Sequence, residues 1–249
     1  AGTKEEQVGI AQENANTKEA DKVSLTNKGT IQLTGDKSTG IYGKRGILLN
    51  DSTGKISVGK KSAAMYLLED NEATTTGAKV SNLGDISLGK GSIGIYYSDK
   101  DKNGNVFTGS NPNTVGGAYN LKNILSSSEN VIGMYGKGSG TNVTNMKNIN
   151  LSKENSTGIF TKDDAVAKNE TGANINLEEK NSVGIFGLAS AAGKKIDLTN
   201  NGIVTLKGEG STGIFASNVE NPVGSGIYTG ALTDSSIKNT GTITLDAKK

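Results

Sequence analysis

Pairs of apolar residues separated by one polar residue recur along the chain. The pattern is Ile-x-Leu, and its copies are Ile31/Leu33, Ile56/Val58, Ile86/Leu88, Ile149/Leu151, Ile175/Leu177, Val204/Leu206 and Ile243/Leu245. Ile124 with Ser126 is an altered copy. Alternation with a period of two is typical of β-strands, so each copy predicts a short strand.

A second element, Ser-x-Gly-Ile-aromatic, follows the apolar pairs. It occupies residues 38–42, 92–96, 156–160, 182–186 and 211–215, with degenerate copies at 62–66 and 131–135. The chain has only 7 Tyr and 4 Phe, so a recurring aromatic position is a strong feature. Its regularity indicates a structural role before a chemical one.

A turn precedes each apolar pair. Asparagine stands four residues before the Ile in six of eight units, at Asn27, Asn82, Asn120, Asn145, Asn200 and Asn239. Glycine stands two residues before it in five units, at Gly29, Gly54, Gly84, Gly202 and Gly241. Asn and Gly tolerate positive φ, so we expect that conformation in this turn. A further apolar position lies before the turn, at Leu25, Val80, Val143, Leu198 and Ile237.

Strands this short cannot form a sheet with their sequence neighbours, but they can pair with the equivalent strand of the next unit. Successive motif positions, starting from Gly9, lie 24 to 39 residues apart. That distance predicts an all-β fold, a parallel β-helix (solenoid) of about eight coils with two or three strands per coil. At ~4.8 Å per coil the rod would be about 40 Å long.

Stacked coils place equivalent side chains in columns along the rod. We expect one aromatic column, an amide ladder of Asn side chains and a similar ladder of Ser side chains. The aromatic residue and its neighbouring Ile face opposite ways, so either could point inward. The rings could serve packing alone or form a platform for sugar rings. The aromatic column comprises Tyr42, Tyr66, Tyr96, Tyr135, Phe160, Phe186 and Phe215.

Mixed charges fall in the second turn of the units. They lie at 36–37, 60–61, 153–154, 178–180 and 207–209. This pattern is typical of a solvated edge that opposes lateral sheet pairing, and the alternative is a charged binding strip.

Composition narrows the class of protein. Hydrophobic residues make up 33% of the 249 residues, which suits a thin, elongated core. The formal net charge is +2 without a block of like charge, so we expect no nucleic-acid partner. Cysteine and histidine are both absent, which removes thiolate metal sites, disulfides and the commonest general base. The lack of cysteine also suits an exported chain.

No stretch of the sequence is long and apolar enough for a membrane helix, so we expect no membrane insertion by this segment. Partial repeats at both ends indicate a single β-helix segment, residues 1–249, cut from a longer repeat array. Three long spacers, 11–22, 97–118 and 216–236, are predicted to be insertion loops. Insertions are where repeat proteins usually carry function.

The insertion at 97–118 holds the candidate binding residues. Asp99, Asp101, Asn103 and Gly104 match the first half of a calcium loop, in which oxygen ligands alternate around a glycine turn. The twelfth position is Ser110 instead of Glu, so the alternative is an Asn-Gly hairpin tip and no metal or other cofactor. Asp99, Asp101 and Phe107 are also the loop candidates for ligand binding.

An enzyme of the polysaccharide-active β-helix type is the alternative function. Such enzymes need clustered carboxylates with a basic residue beside them. Here Arg45 is the only arginine and Asp163-Asp164 the only adjacent Asp pair. We therefore predict no catalytic residues and no enzymatic activity.

The repeat pattern Asn-x-Gly-x-Ile-x-Leu followed by Ser-x-Gly-Ile-Tyr/Phe resembles the passenger repeats of large fusobacterial type V autotransporter adhesins. The resemblance covers residues 8–245 and implies a right-handed β-helix on the bacterial surface, anchored by a C-terminal outer-membrane barrel that lies outside this chain. It further implies attachment to host cells, through a glycan or protein receptor, or to other bacteria. It carries over no binding residue.

Two other fibrous classes remain open at this point. The sequence Asn181-Ser182-Val183-Gly184 is similar to repeats of trimeric autotransporter heads, but those repeats have about half the period, so we expect a monomer. A phage or S-layer fibre is the other structural alternative.

Overall fold

The fold is a parallel β-helix with three strands in each coil. The computed structural model describes residues 5–13, 23–44, 46–69, 79–99, 117–138, 141–190, 193–218 and 235–246. These residues form three parallel sheets of eight strands each. Each coil contributes one strand to each sheet, and the sheets are called A, B and C in the order in which the chain passes through them within a coil.

Sheet A contains the Gly-Ile-aromatic motif. Its strands are β1 (Val8–Glu13), β4 (Thr39–Lys44), β7 (Ala63–Glu69), β10 (Ile93–Asp99), β13 (Ile132–Lys137), β16 (Thr157–Lys162), β19 (Val183–Leu188) and β22 (Thr212–Ser217). Each strand pairs with the equivalent strand of the neighbouring coils, as Tyr66 with Tyr96 and Tyr96 with Tyr135.

Sheet B contains the apolar position that precedes the Asn turn. Its strands are β2 (Val23–Asn27), β5 (Gly46–Asn50), β8 (Lys79–Asn82), β11 (Gly117–Asn120), β14 (Asn142–Asn145), β17 (Val166–Asn169), β20 (Asp197–Asn200) and β23 (Ser236–Asn239). Every strand ends on an asparagine.

Sheet C contains the Ile-x-Leu pairs. Its strands are β3 (Thr30–Leu33), β6 (Lys55–Val58), β9 (Asp85–Leu88), β12 (Asn123–Ser126), β15 (Asn148–Leu151), β18 (Asn174–Leu177), β21 (Ile203–Leu206) and β24 (Thr242–Leu245). The altered copy forms β12 and stays in register with both neighbours, Ile124 facing Ile86 and Ile149.

The core is a column of apolar side chains from each sheet that meet along the axis. The central members are at most 1% exposed: Ile41, Met65, Ile95, Met134, Ile159 and Ile185 in sheet A; Leu48, Val80, Ala118, Val143, Ala167 and Leu198 in sheet B; Ile56, Ile86, Ile124, Ile149, Ile175 and Val204 in sheet C. Burial of one large aliphatic side chain is worth about 1.5–3 kcal/mol, so each coil contributes its own share of stability.

Close approach between coils explains the glycine of the sheet A motif. A Cβ on Gly158 would lie 2.5 Å from the Cγ2 of Ile175 and 2.6 Å from the carbonyl oxygen of Gly184. Gly40, Gly133 and Gly184 are equally confined by the next coil. Glycine at this position therefore leaves room between stacked backbones, and a Cβ at any of these four glycines would force a neighbour to move. Ala64, fully buried at the equivalent position of the degenerate copy, is the one larger residue in this column.

Positive φ recurs at a different corner from the one predicted. Left-handed residues recur between sheets C and A, directly before the motif serine, as at Lys37 (55°), Lys61 (53°) and Asn155 (57°). Asp163 and Asp164 adopt the same conformation between sheets A and B, at 52° and 70°. The asparagines that end the sheet B strands are outside this conformation. Their role is side-chain hydrogen bonding. The prediction of positive φ in the Asn turn is wrong at the asparagines and holds, among the described residues, only at Gly172 (81°).

Candidate functional site

The aromatic column lies on the outer face of sheet A. Consecutive ring centroids from Tyr42 to Phe215 are 5.7, 4.3, 4.9, 5.2, 4.8 and 5.3 Å apart. The rings are half-buried apart from Phe215, which is 47% exposed. The predicted column is confirmed, and the structure decides its direction: the isoleucines point inward and the rings outward.

The column consists of two stacks that meet at a right angle. Tyr42, Tyr66, Tyr96 and Tyr135 form one stack, with interplanar angles of 31°, 3° and 14°. The three phenylalanines form the second, and Tyr135 meets Phe160 at 88°. Within a stack each ring turns its faces to its neighbours. A sugar needs an open ring face for stacking, so the interior of either stack is a poor sugar platform.

Burial within the stack changes the chemistry of the phenols. It raises the pKa of Tyr96 and of Tyr135 above the usual value near 10, and neighbouring phenols raise that of Tyr96 further. The hydroxyls of Tyr96 and Tyr135 therefore stay protonated and uncharged at neutral pH.

A continuous asparagine ladder fills the corner between sheets B and C. Each side-chain N–H donates to the Oδ1 of the asparagine one coil later, over seven bonds of 2.8–2.9 Å. All members except Asn239 are buried. The predicted ladder is confirmed and includes two residues that the fixed spacing missed, Asn50 and Asn169.

The serine column forms a different network from the predicted side-chain ladder. The Oγ of Ser62 accepts the backbone N–H of Ser38 at 2.9 Å, and the Oγ of Ser92 accepts that of Ser62 at 3.0 Å. Each hydroxyl then donates to a carbonyl of the adjacent turn, as Ser92 to Gly59 at 2.7 Å. The hydroxyls therefore bond backbone groups, because a Ser side chain is too short to reach its equivalent one coil away.

The mixed-charge corner between sheets C and A pairs its charges across coils. Lys180 lies 3.3 Å from Glu154 and Lys207 lies 3.2 Å from Glu178. Lys90 bonds Glu129 and lowers the pKa of that carboxyl. The exposed pairs are typical of a solvated edge and leave little net charge for a binding strip.

The third corner, between sheets A and B, contains the variation in length of the chain. Its connections are 14–22, 45, 70–78, 100–116, 138–141, 163–165, 189–196 and 218–235. The corner between B and C uses either two or four residues, as 28–29 and 51–54, and the one between C and A uses four or five, as 59–62 and 34–38. All three predicted insertions map to the variable corner.

The predicted boundaries of these insertions are too wide. Residues 11–13 belong to β1, 97–99 to β10, 117–118 to β11, 216–217 to β22 and 236 to β23. The sequence does not mark these residues as strand, because they lack the apolar alternation of the motif core. The remaining parts of the insertions lie outside the described residues, apart from Asn218 and Ser235.

The candidate ligands of the insertion at 97–118 are only partly located. Asp99 is the last residue of β10, at the edge of the variable corner. Asp101, Asn103 and Phe107 lie outside the described residues, so the calcium hypothesis stays a prediction. Within the described ranges no three His, Cys, Asp or Glu side chains form a group that could hold a metal ion.

One short connection at the variable corner is described in detail. The Asp163 carboxylate accepts the backbone N–H of Ser190 at 2.8 Å and its hydroxyl at 2.7 Å. Asp164 bonds the Lys194 Nζ at 2.8 Å and raises the pKa of that lysine. Asp163 and Asp164, the adjacent Asp pair, thus both hold the connection to the next coil through hydrogen bonds.

The outer face of sheet C has a groove that the sequence pattern did not predict. It is open, has a volume of about 710 Å³ and runs along the axis from Ser87 to Lys207. Asn150 and Asn176 lie in it and are joined by a 2.6 Å hydrogen bond. The available signal was the middle position of Ile-x-Leu, which is asparagine in two consecutive units.

Among the described residues there is no helix of the length and apolarity needed to cross a membrane. Comparisons of the chain with models of protein families, with curated proteins and with solved structures found no match.

Proposed function

We propose that the chain is a non-enzymatic segment of a bacterial cell-surface autotransporter adhesin, an extracellular passenger that presents attachment sites for host cells or other bacteria. The observation that carries this proposal is the confinement of length variation to one corner of an otherwise regular rod. Two corners keep nearly constant connections, whereas the corner between sheets A and B ranges from residue 45 alone to 218–235.

Regular coils and variable loops divide the work of a repeat protein. The buried asparagine ladder and the apolar columns fix the stacking of every coil, so the coils themselves tolerate little change. Loops on one face are free to vary and usually form the binding face. This arrangement favours a role in which the rigid coils hold a row of loops along one edge.

The repeat pattern of the sequence supports a location on the bacterial surface. The repeats resemble autotransporter passengers, and the absence of cysteine suits a chain that is exported before it folds. The partner is then a receptor on another cell, either a glycan or a protein, and the segment acts as a monomer.

The test compares two loop replacements in the full chain. In the first, residues 100–116 are replaced by Asp-Asp-Ala, the native connection at 163–165. The matched control replaces 70–78, in the preceding coil at the same corner, with the same three residues. Attachment of labelled protein to epithelial cells and to bacteria is measured with and without calcium, and circular dichroism checks that the strand content is kept.

Loss of attachment in the 100–116 replacement alone places the adhesive site on that loop and makes Asp99 and Asp101 the next residues to substitute. A calcium requirement of the intact protein supports the calcium loop. If the intact chain attaches to no cell, the adhesive role of this segment is overturned and it is a spacer.

A further inference from the structure

The groove on sheet C has a floor of outward-facing side chains and a wall made by the corner between sheets C and A. The floor follows one outward column of the sheet, and the wall rises from the turn that leads to the next sheet A strand. The floor is formed by Ser87, Leu125, Asn150 and Asn176, and the wall includes Ser127 and the Glu178–Lys207 pair.

Hydrogen-bonding capacity in the groove is only partly used. Asn176 donates one side-chain N–H to the Oδ1 of Asn150. The side-chain N–H groups of Asn150 and the side-chain oxygen of Asn176 bond no described residue, nor do the hydroxyls of Ser87 and Ser127. A carboxamide offers two donors and an acceptor with two lone pairs. The joined amides thus present free donors at one end and a free acceptor at the other.

The charge of the groove indicates a neutral ligand. Its two charged side chains, Glu178 and Lys207, lie 3.2 Å apart and neutralise each other. An ionic ligand would therefore meet no unpaired opposite charge. Leu125 is 37% exposed between the polar side chains and adds an apolar contact.

A neutral oligosaccharide combines the chemistry that this lining recognises. Its hydroxyls both donate and accept hydrogen bonds, as the amides of Asn150 and Asn176 require, and its rings carry apolar C–H faces that suit Leu125. An extended peptide fits less well, because peptides usually bind a sheet through the backbone groups of an open edge, whereas this groove lies on a sheet face.

We propose that this groove binds a neutral oligosaccharide along the solenoid axis. Asn150 and Asn176 bond ring hydroxyls, and Leu125 packs against the C–H face of a sugar. The groove lies on sheet C, away from the insertions between sheets A and B, so this site goes beyond the proposed adhesive loops and can be tested apart from them.

The experiment uses the full chain on an array of neutral and acidic oligosaccharides, followed by calorimetric titration with the best neutral one; maltotetraose and chitotetraose are included as soluble probes. The variants are Asn176→Ala, Asn150→Ala and Leu125→Ser. Gln32→Ala is the matched control, because Gln32 occupies the same outward column outside the groove. Circular dichroism and melting temperature verify folding of each variant.

The expected result is retention of neutral oligosaccharides, an affinity that is unchanged in 0.5 M NaCl, and a Kd raised at least tenfold by each asparagine substitution and several-fold by Leu125→Ser. Gln32→Ala leaves the Kd unchanged. The proposal is overturned if no neutral oligosaccharide binds, if only acidic ones bind and salt releases them, or if folded groove variants bind as well as the control. Cell attachment through the 100–116 loop is unaffected by any of these outcomes.

Discussion

Replacement of Asn145 by alanine tests how much the buried amide ladder contributes to stability. Asn145 has no exposed surface and lies in the middle of the ladder. Its Oδ1 accepts from Asn120 at 2.9 Å, and its N–H groups donate to Asn169 at 2.8 Å and to the Lys147 carbonyl at 3.0 Å. Alanine removes both ladder bonds and a longer bond, of 3.4 Å, to the Asn174 carbonyl in the next coil, without creating a large cavity.

The expected cost follows from the bonds lost and the atom left unpaired. Two inter-coil hydrogen bonds contribute about 1 kcal/mol each. The buried Oδ1 of Asn169 accepts only from Asn145, and an unpaired buried acceptor costs about 1–3 kcal/mol. The free energy of unfolding should therefore fall by about 3–5 kcal/mol. At about 2–4 °C per kcal/mol for a chain of this size, the melting temperature should drop by about 6–20 °C.

The matched control is Asn150→Ala on the surface of sheet C. Asn150 is half-buried and accepts one bond, from Asn176, which water can replace. Its cost should stay below about 1 kcal/mol. Urea and thermal unfolding followed by circular dichroism measure both variants. Equal destabilisation by the two substitutions would refute the assignment of the ladder as a major source of stability.

Three further predictions concern the corners and the aromatic face. Gly208→Ala should lower the free energy of unfolding by about 1–3 kcal/mol, because the new Cβ would overlap the backbone of the preceding coil at Glu179. Gly29→Ala is the control, since the space around its Cβ is open, and it should change stability little. Urea unfolding compares the two variants. Burial raises the pKa of Tyr96 and Tyr135, so the folded state favours their protonated phenols. Their contribution to the free energy of unfolding is complete below pH 10 and is lost as the pH rises through the pKa values of the folded protein. Ultraviolet titration should therefore show tyrosines that ionise late in the folded protein and normally in urea. Addition of 1 M NaCl should shift the melting temperature only slightly, because the ion pairs at the corner between sheets C and A are largely open to solvent. A large drop in the melting temperature would contradict their minor role.

Much of the fold was predictable because stacking makes every coil obey the same constraints. The Ile-x-Leu pairs, the aromatic column and six members of the asparagine ladder follow directly from repeated spacing. Asn50 and Asn169 were missed since their coils carry the longer connections 51–54 and 170–173, which break a fixed count while leaving the side chains in the ladder.

The candidate sites were less predictable for a physical reason. A repeat pattern reports the side chains that recur in every coil because they support stacking, such as the inward isoleucines and the outward aromatic rings. A binding surface is built from the positions that stacking leaves unconstrained. The middle residue of Ile-x-Leu is such a position. The structure identifies Asn150 and Asn176 as part of a groove because turn residues of neighbouring coils form a wall beside them.

The one-way direction of the asparagine ladder makes the coil an exchangeable unit of evolution. Every coil offers an acceptor to the coil before it and a donor to the coil after it, with the same bond length throughout. Excision of residues 146–169 would remove one strand from each sheet and bring Asn145 next to Asn200 with the correct donor and acceptor. Recombination between repeats can therefore lengthen or shorten such a rod, and change its succession of loops, without the invention of a new interface.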